Sequence, residues 1–293
     1  MHRWTTTILA MLVLLGLEAR AGQTASVAAM QPGAVAPDPV LTAAGGLVGE
    51  ALFLCGFYAS NNLGYDEAGK LETASTSIGQ PVDWTLSGVH ILKVARVGGE
   101  QIELDGVRAA IRYNPDAHEF QRHPLNDQKM RLLVKLAPGA PTDADTARQL
   151  RAAFAAIFAI GIDPGIEHTA PPLWSHYFDP SLAWPPDALT GQTIYPADQP
   201  AQNAQQPAVT PPLLSHRVDP RYTDAAAHDK VTGQVQLRAV VDAQGVPQRI
   251  VVARPLGYGL DQQAADAVAR WRFEPATRAG QPVASSIPIN IDF

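Results

Sequence analysis

The sequence has one cysteine in 293 residues, which excludes an internal disulfide and any cluster held by several thiolates. It is also short of charge: Asp, Glu, Lys and Arg make up 17%, below the roughly 25% of an average soluble protein. The balance is acidic, with a net charge of −6. Lacking a basic block, the chain does not carry the footprint of a nucleic-acid binder. Beyond the N-terminal segment, no apolar run approaches the ~20 residues that a membrane-spanning helix needs. Catalytic signatures are missing too: GxSxG, HExxH, a phosphate-binding glycine loop and a dinucleotide fingerprint are all absent. A hydrophobic content of 46% excludes wholesale disorder, while 25 prolines and 23 glycines predict much irregular structure.

The N-terminus carries an address. Met1-His2-Arg3 gives a positive start, Ile8 to Leu17 is apolar, and Ala19-Arg20-Ala21 places small residues before a cleavage point. The stretch is too short to cross ~30 Å of hydrocarbon, so a signal peptide over 1–21 and an exported chain are expected. Retention as a membrane anchor is the alternative, and membrane contact is expected only in that case. Residues 22–45 are small, polar and proline-interrupted, which predicts a flexible leader.

From about Glu50 the pattern becomes short β runs separated by turn residues. Strands are expected at Leu52–Tyr58, Trp84–Val97, Gln101–Leu104, Val107–Tyr113 and Met130–Leu136, with a hairpin turn at Asp105-Gly106. Ala147, Leu150, Phe154 and Ile157 then fall at helical spacing, with Thr142 or Asp143 as the cap. Residues 163–212 hold 11 of the 25 prolines. Trp174, Tyr177, Phe178 and Trp184 are expected to pack back on this β-rich domain, which ends at about residue 194. Residues 195–211 have no apolar face and read as an extended tether.

In the last eighty residues, Val235, Leu237, Ala239 and Val241 alternate with mostly polar neighbours, Asp242 to Gly245 is a turn, and residues 246–253 return. Asp261 is expected to cap a helix with the stripe Leu260, Ala264, Ala267, Val268 and Trp271. A final strand follows, with Val283, Ser285, Ile287, Ile289, Ile291 and Phe293 on one face. The order β-β-α-β makes a small helix-on-sheet unit, and the whole chain an α+β protein.

Gly233-Gln234-Val235, Val240-Val241-Asp242 with Gly245, and Leu256-Gly257 with Gly259-Leu260-Asp261 recur as a set with Trp271-Arg272-Phe273, Pro275-Ala276 and Gly280-Gln281-Pro282-Val283. With these residues the segment 212–293 resembles the TonB C-terminal domain family of Gram-negative envelopes. The front segment, with Gly56-Phe57-Tyr58, Tyr65-Asp66, Gly69-Lys70-Leu71 and Trp84-Thr85-Leu86, looks like the β-rich domain that precedes this module in some secreted TonB-like proteins. The resemblance implies a periplasmic location and a role in transmembrane transport. It implies binding by strand pairing to an envelope protein, such as a TonB-dependent outer-membrane transporter, with no cofactor and no catalysis. The expected contact is the backbone of Ser285, Ser286, Ile287, Pro288, Ile289, Asn290, Ile291 and Asp292. An envelope module that keeps the fold without energy coupling, pairing with itself as a homodimer, is the alternative. Three features depart from the family pattern. A cleaved N-terminus leaves no anchor for a proton-driven motor, and Arg221-Tyr222-Thr223 stands where a Tyr-Pro pair is usual. Pro288, inside the last strand, lacks an N–H and weakens whichever edge it faces.

Three constellations bear on catalysis or metal binding. His118, Glu119 and His123 are expected as surface loop residues, with no metal site. Ser175, His176 and Asp179 are triad residue types, but adjacency in sequence does not make a triad. Cys55 is expected to be a buried, unreactive thiol.

Overall fold

Alternating apolar residues after Glu50 fold, in the computed structural model, into strands that are shorter than expected at Leu52–Leu54 and Gly88–Val97 and longer at Gln101–Asn114 and Glu119–Lys135. The structure describes residues 37–72, 82–140, 142–161, 171–197 and 207–293. The segment expected to be a signal peptide, and most of the expected leader, lie outside the described residues. What is described of the leader is a helix, α1 (Pro39–Gly45), capped by Asp38 and burying Val40 and Ala44.

The front sheet contains β1 (Leu52–Leu54), β2 (Asn62–Tyr65), β3 (Gly88–Val97), β4 (Gln101–Asn114), β5 (Glu119–Lys135) and β6 (Phe158–Ile160), in the order β2-β5-β4-β3-β1-β6. Asp105-Gly106 is no turn: β4 runs straight through it, paired with β3 and β5 on either side. The reversal falls instead at Gly98-Gly99, both with positive φ. Gly106 is needed for a different reason, since a Cβ there would lie 2.3 Å from the His90 carbonyl oxygen. Between β5 and β6, α2 (Asp143–Ile157) starts where expected, with the Thr142 hydroxyl accepting from Asp145 N. It buries Ala147, Leu150, Ala153, Phe154 and Ile157 against Ile91, Ile102, Leu104 and Leu132 of the sheet.

Beyond Gly106, β4 is buried on both sides from Val107 to Ile111. Ala110 and Ile111 join a core shared with the C-terminal half. Phe53, Trp84, Ala110, Ile111 and Trp174 pack in that core with Leu237, Leu256, Tyr258, Leu260, Val268 and Ile289. Residues 37–293 therefore form one compact unit, and two bodies on a tether do not describe them.

The bridge from one half to the other is α3 (Pro172–Phe178). Trp174 meets Trp84 edge-on at 5.2 Å, its indole N–H donating to Asp83 at 2.9 Å. Tyr177 packs on Phe120 of the front sheet, whereas Trp184 turns away and stacks on His176. The segment read as a tether is pinned at both ends into the C-terminal half. Its strands are β7 (Tyr195–Pro196) and β8 (Val209–Thr210), followed by β9 (Leu213–His216) and α4 (Asp224–His228).

The C-terminal half then runs β10 (Gln234–Val241), β11 (Pro247–Arg254), α5 (Leu260–Ala269), β12 (Arg272–Glu274), β13 (Ala276–Arg278), β14 (Gln281–Val283) and β15 (Ser285–Asp292). Its main sheet has the order β11-β10-β15-β7, with the pairs β12-β9 and β14-β13-β8 beside it. Val283 belongs to β14 and not to the last strand. Asp261 does not cap α5: Gly259, left-handed at φ 72°, occupies that position without a side-chain bond. The Asp261 carboxylate reaches backwards, accepting from Leu256 N at 2.8 Å and Gly257 N at 2.7 Å. It thereby closes the turn that carries the glycines of the Leu256–Asp261 motif.

The junction between the halves is hydrogen-bonded backbone. Tyr258 N donates to Ile111 O at 2.9 Å, Tyr113 N to Leu256 O at 3.1 Å, and Gly259 N to the Thr85 hydroxyl at 2.7 Å. That hydroxyl in turn donates to Asp83. Burial raises the pKa of Asp83, and burial with the nearby Asp83 charge pushes Asp261 up to about 7.

Candidate strand-pairing edge

Strand β15 is paired over its whole length on one side, with β10, from Val241 opposite Ser285 to Gln234 opposite Asp292. The register has no bulge, so its hydrogen-bond phase follows from one end. Gly233 and Phe293 exchange both backbone bonds, at 3.1 and 2.9 Å. Counting back by twos, Ile291, Ile289, Ile287 and Ser285 also turn their N–H and C=O towards β10. The alternate residues Ser286, Pro288, Asn290 and Asp292 turn theirs outward. The opposite end agrees, because the Ser286 carbonyl accepts from Ala197 N at 3.1 Å on the outer side.

That outer side is only partly covered. Tyr195 and Pro196 of β7 run parallel to Ser285 and Ser286, and no described strand lies beyond them. The expected contact strip therefore shortens: Ser285 and Ser286 already have a neighbour, and the open edge is Ile287–Asp292. Along it the Pro288, Asn290 and Asp292 carbonyls and the Asn290 and Asp292 N–H groups face outward. Pro288 withholds its donor on this edge and not on the β10 side, so the proline blunts the pairing edge. Its carbonyl still accepts. Ile289 and Ile291 are buried beneath, while Pro288, Asn290 and Asp292 are exposed.

The neighbour at the start of the edge is held firmly. Arg249 grips Asp187 with two bonds of 2.7 Å, which brings the Asp187 carboxyl down to about 2. Its guanidinium also lies 5.4 Å from the Trp184 ring centre, and Trp184 stacks on His176 at 3.7 Å. Leu189 and Ile194 pack with Val240 and Ala284, and Arg278 sits 4.9 Å over the Tyr195 ring. Residues 184–196 thus cover one sheet face and lead β7 to a fixed stop beside Ser286. Sequence reasoning missed this cover, because a two-residue strand has no periodicity. The Tyr195-Pro196 pair was its only trace.

Of the triad residue types, Ser175 Oγ lies 3.5 Å from His176 Nδ1, while the His176 ring stacks on Trp184 and the Asp179 carboxylate accepts from Ser181. His118 sits at the β4–β5 turn, while His123 lies along β5 beside Tyr258. Among the described residues no group of three His, Cys, Asp or Glu side chains is placed to hold a metal. Cys55 is half-buried and not fully enclosed. No described helix is long and apolar enough to cross a membrane.

A small α+β module with one long last strand, open along most of one edge, defines the class. The family described as Gram-negative bacterial TonB protein C-terminal matches residues 218–293, and this segment is a domain of that family. Protein TonB of Vibrio cholerae is 36% identical over 85 residues, which cover 28% of this chain. The match spans about a third, 34%, of that protein's length. The solution NMR structure of the Pseudomonas aeruginosa TonB C-terminal domain is 21% identical; it aligns over 32% of this chain and 93% of that one, with a TM-score of 0.23.

Proposed function

We propose that this chain is an exported, periplasmic binding protein whose TonB-like module takes an extended segment of another envelope protein as an added strand, without turnover and without a cofactor. The observation that supports this reading most is the open outer edge of β15, where Asn290 and Asp292 present both donors and acceptors. An incoming strand would draw its affinity from these main-chain groups. A TonB-dependent outer-membrane transporter is the partner class that the similarity to TonB favours, and transmembrane transport is the proposed process. Because β7 stops the edge at Ser286, the guest strand has room only beside Ile287–Asp292. It therefore spans a short segment, on the order of 20 Å at about 3.3 Å per residue.

The test is photo-crosslinking in cells from a probe at position 290, with the same probe at exposed Leu213 as control. Cross-links from position 290 alone to an outer-membrane transporter support the proposal. A product of twice the chain mass would mean that the edge pairs with itself. No product from position 290, with the protein present in the envelope, would refute a pairing role.

A further inference from the structure

Where the two halves meet, they form a cavity of about 400 Å3 that is open to solvent, within the size range of small-molecule sites. The β4–β5 hairpin supplies one wall through Arg112 and His123, and β10 and β11 supply the other through Gln234 and Arg254. No aspartate or glutamate lines it, in a chain whose net charge is −6. Neither arginine takes part in an ion pair among the described residues. Arg112 spends one N–H on the Thr232 carbonyl at 3.3 Å, and the rest of its guanidinium fork remains available. Asn114 and Gln121 lie on the same wall, the Gln121 amide donating to Glu119 at 2.9 Å as the Gln234 amide does to Asp292 at 2.9 Å. Burial lowers the pKa of His123 and Arg112 adds to that effect, while Asp229 opposes it. The floor is preformed, because Tyr113 N to Leu256 O and Tyr258 N to Ile111 O tie its two sides together.

Two guanidinium groups thus line one cavity to whose lining no aspartate or glutamate belongs, and neither is ion-paired among the described residues. Their natural complement is a planar or tetrahedral oxyanion, which a guanidinium binds with paired, charge-assisted hydrogen bonds. We propose that this junction cavity binds a small acidic molecule through a carboxylate or phosphate group held between Arg112 and Arg254. The site is built by both halves together, so a ligand there also clamps the junction. It lies at the end of the C-terminal sheet and does not use the open edge of β15.

The experiment is calorimetric titration of the full chain at low salt with citrate, inorganic pyrophosphate and uncharged glycerol. Saturable binding of at least one anion, no binding of glycerol, and roughly tenfold weaker binding in Arg254→Gln are expected. Citrate alone would assign a carboxylate ligand; pyrophosphate alone would assign a phosphate. Arg254 is exposed, and an unchanged urea midpoint for its variant separates lost contact from lost fold. Arg112→Gln gives a second reading from the opposite wall. Absence of saturable binding to either anion, or binding that both variants leave unchanged, would overturn the proposal.

Discussion

Replacing Gly257 by alanine should weaken the junction between the two halves without removing any core side chain. Gly257 has φ 93°, and a Cβ there would lie 2.1 Å from the Ile111 carbonyl oxygen. The backbone conformation alone costs a non-glycine residue about 1–2 kcal/mol. Relief of the clash must move Ile111 away, breaking the Tyr258–Ile111 and Tyr113–Leu256 bonds, each worth about 0.5–1.5 kcal/mol. The sum is on the order of 2–5 kcal/mol, a large share of the ~5–15 kcal/mol that holds a domain together. Gly98→Ala is the control: φ is also positive, at 60°, but nothing stands near the added methyl. It should lose only the conformational part. The assay is equilibrium urea unfolding followed by tryptophan fluorescence. The native chain should unfold in one transition, and Gly257→Ala should lower the midpoint well beyond Gly98→Ala, with the transition splitting in two. Equal losses in the two variants would refute the account of the junction.

Three further expectations follow from the same geometry. Pro288→Thr restores an outward N–H on the open edge, so affinity for an added strand should rise roughly two- to tenfold by calorimetry, for one recovered bond of about 0.5–1.5 kcal/mol. Asp261, held at about 7 against an ordinary value of 3.8, takes up a proton on folding between these values. Stability should therefore be highest below about pH 4 as far as this group is concerned, and fall as pH rises to 7. Thermal melts at pH 5.5 and 8 should show the loss, and Asp83→Asn should shrink it. Asp187→Ala releases Arg249 and loosens the cover that carries β7, so hydrogen exchange of the Ala197 amide should quicken while that of Ile289 stays slow.

How much of this was legible in the sequence depended on the range of the signal. The β10–β11 hairpin and the buried stripe of α5 were readable because period and turn chemistry are local. So was the start of α2, where Thr142 is the cap. Asp105-Gly106 misled because a strand glycine can answer a close approach from a neighbouring strand, here His90, and no local pattern records that. Asp261 misled in the same way: its residue type suits a cap, but its carboxylate is drawn to the exposed amides of Leu256 and Gly257. The union of the two halves was hidden in residues such as Ala110 and Ile111, which look like ordinary strand interior until the second face of β4 is seen to be covered. For the candidate site, the last strand and the blunting role of Pro288 could be read directly. That Pro288 faces outward required the register with β10, and the stop at Ser286 required β7.

Backbone amide exchange along β15, read residue by residue by NMR, tests the central claim most directly. In the free protein Ile287, Ile289 and Ile291 should exchange slowly, because β10 holds their N–H groups, while Asn290 and Asp292 exchange quickly. Adding an extended transporter peptide should slow Asn290 and Asp292 and leave the isoleucines unchanged. Slow exchange at both positions in the free protein, or peptide binding that leaves them fast, would contradict an open pairing edge.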